Sequence, residues 1–147
     1  MPIRLKGKVY KTAVRPAMMY GSECWAVKKQ HEQKMHTTEM RMLRWAAGVT
    51  RLDRVRNEYI RGSFKVAPIV DKMVESRMRW YGHVMRRDEN NAVKKALAIP
   101  DKKRGRGRPP ATWWTTVAND LERAQLDKQT TQDRLSWRRK TRRADPK

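Results

Sequence analysis

The chain has 147 residues carrying 36 Lys and Arg against 15 Asp and Glu, a net charge of +21. That length supports one domain or two small helical subdomains, and that charge selects polyanionic partners, nucleic acid first. One cysteine, Cys24, excludes an internal disulfide framework and any Cys-rich zinc site, and no run of about 18 apolar residues suggests a membrane span.

Apolar residues recur at helical spacing from the start. A first helix is expected over about Leu5 to Met19, carrying Leu5, Val9, Tyr10 and Val14, with Pro16 kinking or ending it. Lys29 to Ala47 forms the second, with Met35, Met42, Leu43, Trp45 and Ala46 on one arc and Gly48 as its stop. Asp53 is placed to cap a short helix through Val55, Tyr59 and Ile60 before Gly62.

Pro68 to Arg87 is the clearest helix. Val70, Met73, Val74, Met78, Trp80, Tyr81, Val84 and Met85 fall within an arc of about 160°. Asp71, Lys72, Glu75, Ser76, Arg79, His83 and Arg86 take the rest, and Pro68 suits the first turn. Ala92 to Ile99 is a short helix ending at Pro100. Another begins near Ala111, with Trp113, Trp114, Val117, Leu121 and Ala124 on one arc, and Thr131 to about Arg143 is helix-permissive around Leu135 and Trp137. No stretch alternates like a strand, and no internal repeat is present.

The expected fold class is therefore all-α: a helical body over 1–99, a basic hinge over 100–111 and a short helical tail over 112–147. Core material is thin, since Leu, Ile, Val and Phe make up roughly a sixth of the residues against the ~20% usual for folding chains of high charge. Nine Met and six Trp compensate in part. A marginal fold, steadier with its polyanion or with neighbouring chain, is the expectation.

Two charges interrupt the apolar arcs. Arg77 lies mid-stripe in the Pro68–Arg87 helix and Glu39 on the arc of the Lys29–Ala47 helix. Arg77 could snorkel from a loosely packed face, pair with Glu39 across the helix interface, or face a phosphate. The pairs Asp88-Glu89 and Asp120/Glu122 read as solvated helix ends or faces.

No catalytic constellation emerges. His31, His36 and His83 are the only histidines, and no Cys or carboxylate completes a metal site with them. Cys24 beside Trp25 reads as packing rather than as a nucleophile. No phosphate-cradling glycine loop is present, because Gly105 and Gly107 lack the flanking strand and helix. The expectation is a chain with no catalytic residue, metal, cofactor, small-molecule substrate or membrane partner.

The binding signal is stronger. Asp101 to Pro110 packs five cations, two glycines and two prolines into ten residues, a positive strap that cannot build a core. Within it Lys102, Lys103, Arg104, Arg106 and Arg108 are expected to contact nucleic acid, joined by Arg138 and Arg139 in the tail. Arg-Gly-Arg-Pro at Arg106–Pro109 is similar to an AT-hook, which lies in the narrow minor groove of A·T-rich DNA. The plainer reading is a linker touching phosphates without preference. Trp113 and Trp114 could stack on bases, but their arc favours core packing. An intracellular and more nuclear than cytoplasmic location follows from the basic clusters.

Several segments, read in order, carry a family resemblance. Val9-Tyr10-Lys11-Thr12-Ala13-Val14-Arg15-Pro16-Ala17-Met18-Met19-Tyr20-Gly21-Ser22-Glu23-Cys24-Trp25 comes first. Glu39-Met40-Arg41-Met42-Leu43-Arg44-Trp45, Asp53-Arg54-Val55-Arg56-Asn57-Glu58 and Arg77-Met78-Arg79-Trp80-Tyr81-Gly82-His83-Val84 follow, then the Arg104–Trp114 strap, Asp133-Arg134 and Trp137-Arg138. Together they resemble the region downstream of the polymerase core in reverse transcriptases of non-LTR, LINE-type retrotransposons, most like the RTE-related group. The family's paired metal-binding aspartates belong to an upstream palm and have no counterpart here.

The resemblance implies a helical thumb and C-terminal extension, beginning at a methionine internal to the ancestral reading frame. Such a thumb grips template–primer duplex behind the catalytic site. It implies duplex DNA, RNA or RNA–DNA hybrid as partner, together with the missing polymerase domain. Two alternatives stay open: a DNA-tethering, chromatin-type module reading A·T-rich DNA through the hook, and a decayed remnant with no function.

Overall fold

Pro16 supplies no amide hydrogen, and its ring would press on the carbonyl four residues back. The computed structural model, which describes residues 1–99, 107 and 111–146, resolves that conflict without breaking the helix. Helix α1 (Ile3–Val9) runs into a π-helical turn (Tyr10–Val14) and on into α2 (Arg15–Met19). In the wide turn the Arg15 amide donates to the Tyr10 carbonyl five residues back. The expected kink is thus absorbed by a π-bulge, a common remedy for a blocked ladder.

Gly21, at φ 72°, turns the chain into a 3₁₀ turn (Ser22–Cys24). Helix α3 spans Lys29–Ala47 and stops where expected, at Gly48 with φ 71°. The amides of Gly48 and Val49 cap the carbonyls of Trp45 and Arg44, the usual left-handed helix stop.

Helix α4 (Asn57–Phe64) departs from the sequence reading. Asp53 does not cap it, because its carboxylate accepts from both the amide and the hydroxyl of Thr50 and closes the preceding turn instead. Gly62 is interior to α4, which ends at Lys65 in the left-handed conformation. Helix α5 (Ile69–Met85) has Pro68 at its N-cap, and α6 (Ala92–Ala98) is capped by the Asn91 side chain.

Helix α7 (Trp113–Arg123) opens with a reciprocal capping box between Thr112 and Thr115. A 3₁₀ turn (Lys128–Gln132) leads to α8 (Arg134–Thr141), where one oxygen of Asp133 accepts from the amides of Leu135 and Ser136. The described residues contain helices and turns and no strand, an all-α fold.

The apolar residues form two clusters. Tyr10 of the π-turn, Met40 and Leu43 of α3, Ile60 and Phe64 of α4, and Val66 just after it fill the first. Each large side chain buried there contributes about 1.5–3 kcal/mol. Gly7 permits the close approach of α1 and α4, since a Cβ at that position would sit 2.1 Å from the Phe64 carbonyl oxygen. Val74, Met78, Tyr81, Val117, Leu121 and Trp137 form the second cluster, which packs α7 and α8 against α5. Met and aromatic side chains supply much of both, as the composition required.

The interior charges pair differently from expectation. Glu39 accepts from Arg61 at 2.9 Å and from the Tyr10 hydroxyl at 2.8 Å. Arg77, fully buried, ion-pairs with Asp120 at 2.6 Å, and Glu32 lies 3.9 Å from it. Arg77 therefore neither snorkels nor meets Glu39, and Asp120 is a buried partner rather than a solvated one. Each buried guanidinium has taken a carboxylate from a helix packed against its own, because an unpaired charge there is costly.

The chain's two ends also meet. Arg15 donates both terminal nitrogens to Asp145, at 2.7 and 2.9 Å, and Asp145 accepts the Ala67 amide at 2.8 Å. Burial by itself would raise the Asp145 carboxyl. The hydrogen bonds from Arg15 and Ala67, with the charges of Arg15 and Lys72, reverse this and hold it at about 2.

Candidate nucleic-acid interface

Helix α5 and the turn that follows it present Arg79, His83, Arg86 and Arg87 about one turn apart. Helix α8 crosses that end of α5 and adds Arg134 and Arg138. Between them is an open groove of about 630 Å³, lined by these six residues and Trp137. It is floored by an indole and walled by five arginines, with no carboxylate among the described residues of its lining.

Gly82 and Trp137 set the spacing of the two walls. The indole rests against the α5 backbone and donates from Nε1 to the Met78 carbonyl at 2.8 Å. A Cβ on residue 82 would lie 2.3 Å from that nitrogen. Because Trp137 sits one residue before Arg138 and three after Arg134, seating the indole aims both guanidiniums into the groove. Two segments carrying the family resemblance, Arg77–Val84 and Asp133–Arg138, thus meet in space at this one place.

Three of the groove's arginines are held by neighbouring groups. Arg86 donates to the Thr131 carbonyl at 2.7 Å. Burial, and then the like charge of Arg134, lowers its pKa below the ordinary guanidinium value. Arg87 donates to His83 Nε2, and the His83 ring stacks on Trp80 with centroids 5.5 Å apart. Arg79 pairs with Glu75 while its side chain stays half exposed. Like charges crowded along one groove lose mutual repulsion when an anion enters, so the arrangement suits a run of phosphates.

Of the residues anticipated as nucleic-acid contacts, Arg138 lines the groove. Arg139 is exposed on α8 but points away from it, one residue and about 100° further round. Lys102, Lys103, Arg104, Arg106 and Arg108 lie outside the described residues, as does all of the hook-like Arg106–Pro109 except Gly107. Sequence reasoning passed over Arg79, His83, Arg86, Arg87 and Arg134. The first four were visible as the polar face of an amphipathic helix, yet nothing local shows that a second basic helix lies across it.

Trp113 belongs to packing, while Trp114 packs one edge on Tyr81 and stays 43% exposed. Trp113 Nε1 donates to the Glu23 carbonyl at 2.7 Å, and both indoles lie within 6.4 Å of the Tyr81 ring, centroid to centroid. Trp45 departs the other way: expected on the buried arc of α3, it is 86% exposed. It sits at the edge of that arc, and no described residue covers it. Cys24 is exposed rather than packed, and burial, followed by the Glu23 charge, raises its thiol away from the reactive thiolate.

His31 and His36 serve locally. His31 Nδ1 accepts the Lys28 amide at the start of α3, and His36 contacts Arg61 at 2.9 Å. Among the described residues no group of three or more His, Cys, Asp or Glu is placed to hold a metal ion. No described helix is long and apolar enough to cross a membrane.

Against known proteins, the chain is 23% identical over 130 residues to a transposon-derived protein of Caenorhabditis elegans. The alignment takes in 84% of this chain and 47% of the relative, so the chain spans about half the length of the curated protein it matches. That likeness supports a transposon-related origin. No protein-family profile matches the chain, and no solved structure matches it.

Proposed function

We propose that this chain is the non-catalytic, thumb-like nucleic-acid-binding part of a retrotransposon reverse transcriptase, an RNA-directed DNA polymerase. It grips the template–primer duplex through phosphates and leaves the chemistry to a polymerase domain elsewhere in the parent protein. The groove between α5 and α8 carries the reading, because five arginines line it without a carboxylate among the described residues. Phosphate contacts of this kind position a duplex without reading its sequence. The ordered resemblance to LINE-type polymerases and the likeness to a transposon-derived protein support the same origin.

Fluorescence anisotropy on a blunt RNA–DNA duplex tests it. Replacing Arg134 and Arg138 together by Ala should weaken binding by at least about tenfold, at roughly 1 kcal/mol or more for each lost charge-assisted contact. Arg139→Ala, outside the groove, should change it far less. Equal losses at the two places would mean that net charge alone binds, and the groove would lose its role.

A further inference from the structure

A second basic groove lies elsewhere on the molecule. It has a volume of about 670 Å³ between α3 and the loop that leads to α4, and its lining includes His36, Arg41, Arg44, Arg51 and Asn57, again with no carboxylate among the described residues. Arg44 is committed to the scaffold. It donates to the carbonyls of Thr50 and Val55 and to the Asn57 side chain, fixing the loop against α3. Arg41 and Arg51 are exposed and make no side-chain hydrogen bond or ion pair among the described residues.

Trp45 is not in the groove's lining but lies beside it on α3. It follows Arg41 by one helical turn, about 40° further round α3, and is 86% exposed. Lys34 and Thr38 continue the same exposed stripe toward the start of the helix. Indoles are usually well buried in folded proteins. One presented bare beside unpaired arginines is the combination that binds single strands, where a base stacks on the ring and cations follow the backbone. The α5–α8 groove differs, because its only indole, Trp137, is 2% exposed and spent on packing.

We propose that the α3 groove binds a single-stranded extension of the nucleic acid, with Trp45 as the stacking platform and Arg41 and Arg51 on the phosphates. This rests on the duplex reading above for its biological setting, though the site has its own ligand. A molecule with both a duplex groove and a single-strand groove would favour a junction over either component.

The test compares anisotropy binding of three probes: a blunt RNA–DNA duplex, the same duplex with a single-stranded RNA extension, and that extension with abasic sites. Wild type should prefer the extended over the blunt duplex by about 5- to 100-fold, the span of one stacked base. Trp45→Ala should abolish most of that preference and Trp45→Phe should keep most of it. Arg41→Ala with Arg51→Ala should weaken the extended probe while leaving the blunt duplex nearly unchanged. An abasic extension should lose most of the preference and keep only the part that Arg41 and Arg51 supply through its phosphates.

If the preference survives Trp45→Ala, or if the abasic extension matches the natural one, the inference is overturned; Trp45 would then be a surface for another polypeptide. A free single-stranded oligonucleotide bound through Trp45 by a chain with no affinity for blunt duplex would overturn the duplex reading and leave this one standing. Since Trp45, Arg41 and Arg51 are exposed and make no side-chain hydrogen bond among the described residues, a folding defect should not confuse the outcome.

Discussion

The Trp137 indole lies against Gly82, so close that the smallest side chain on residue 82 would fall 2.3 Å from the indole nitrogen. A glycine in the interior of a helix costs about 1 kcal/mol relative to alanine. Here it lets α8 seat on α5, with Trp137 2% exposed and bonded to the Met78 carbonyl. Gly82→Ala should therefore destabilise the chain by about 1–3 kcal/mol despite the gain in helix propensity. Urea unfolding checks the sign, and an unchanged or stabilised variant would show that α8 can seat otherwise.

Because the same contact aims Arg134 and Arg138, Trp137→Phe should weaken duplex binding even where the protein remains folded. Phenylalanine keeps apolar area but lacks the N–H that reaches Met78. Circular dichroism and anisotropy on one preparation would separate the effects. Wild-type helicity with severalfold weaker binding is expected, whereas wild-type affinity would mean that the arginines find the groove unaided.

Arg77 and Asp120 form a buried pair whose members are 43 residues apart. Removing one partner strands the other, so Asp120→Ala should cost about 3–5 kcal/mol. Replacing both, Arg77→Met with Asp120→Leu, should recover most of that loss, because apolar residues of similar volume avoid the desolvation. A double-mutant cycle in urea measures the coupling. Additive losses would deny that the two charges hold one another.

Acid should loosen the contact between the chain's ends. Asp145 has a folded pKa of about 2 against an ordinary value of 3.8, so the unfolded chain binds its proton first as pH falls. Its contribution, about 2 kcal/mol, is fully present above about pH 4 and is lost as pH drops from there toward 2. Asp145→Asn should lower stability at pH 7 by about that amount and flatten the acid limb between pH 4 and 2. An unaltered acid limb would assign the pH dependence to other carboxylates.

What could be read from the sequence is what local physics decides. Gly48 ends α3 and the stripe of α5 marks its buried face, because caps and periodicity act within a few residues. Pro16 was legible as a conflict, but not its resolution, since a π-turn and a kink answer the same missing amide. Asp53 shows the limit of capping logic: a carboxylate four residues before a helix serves whichever amides it reaches first, here that of Thr50.

The long-range assignments were not legible. Periodicity placed Arg77 and Glu39 on buried faces but could not choose their partners among Glu32, Asp120 and Arg61, a choice made by how the helices cross. The α5–α8 groove was hidden for the same reason, as its walls come from segments about 50 residues apart. Trp45 misled because an arc of about 160° includes its own edge, where a residue is buried only if something reaches it.

The central claim is that this molecule holds nucleic acid by phosphates in the α5–α8 groove, and the salt dependence of duplex binding tests it most directly. Each phosphate neutralised adds about −0.9 to the slope of log affinity against log salt on B-form duplex. The groove has five arginines, of which Arg79 is already paired with Glu75. The wild-type chain should then give a straight line with a slope of about −3 or steeper, and Arg134→Ala with Arg138→Ala should bring it about two units closer to zero. Salt-independent binding, or a slope indifferent to that double change, would contradict the claim.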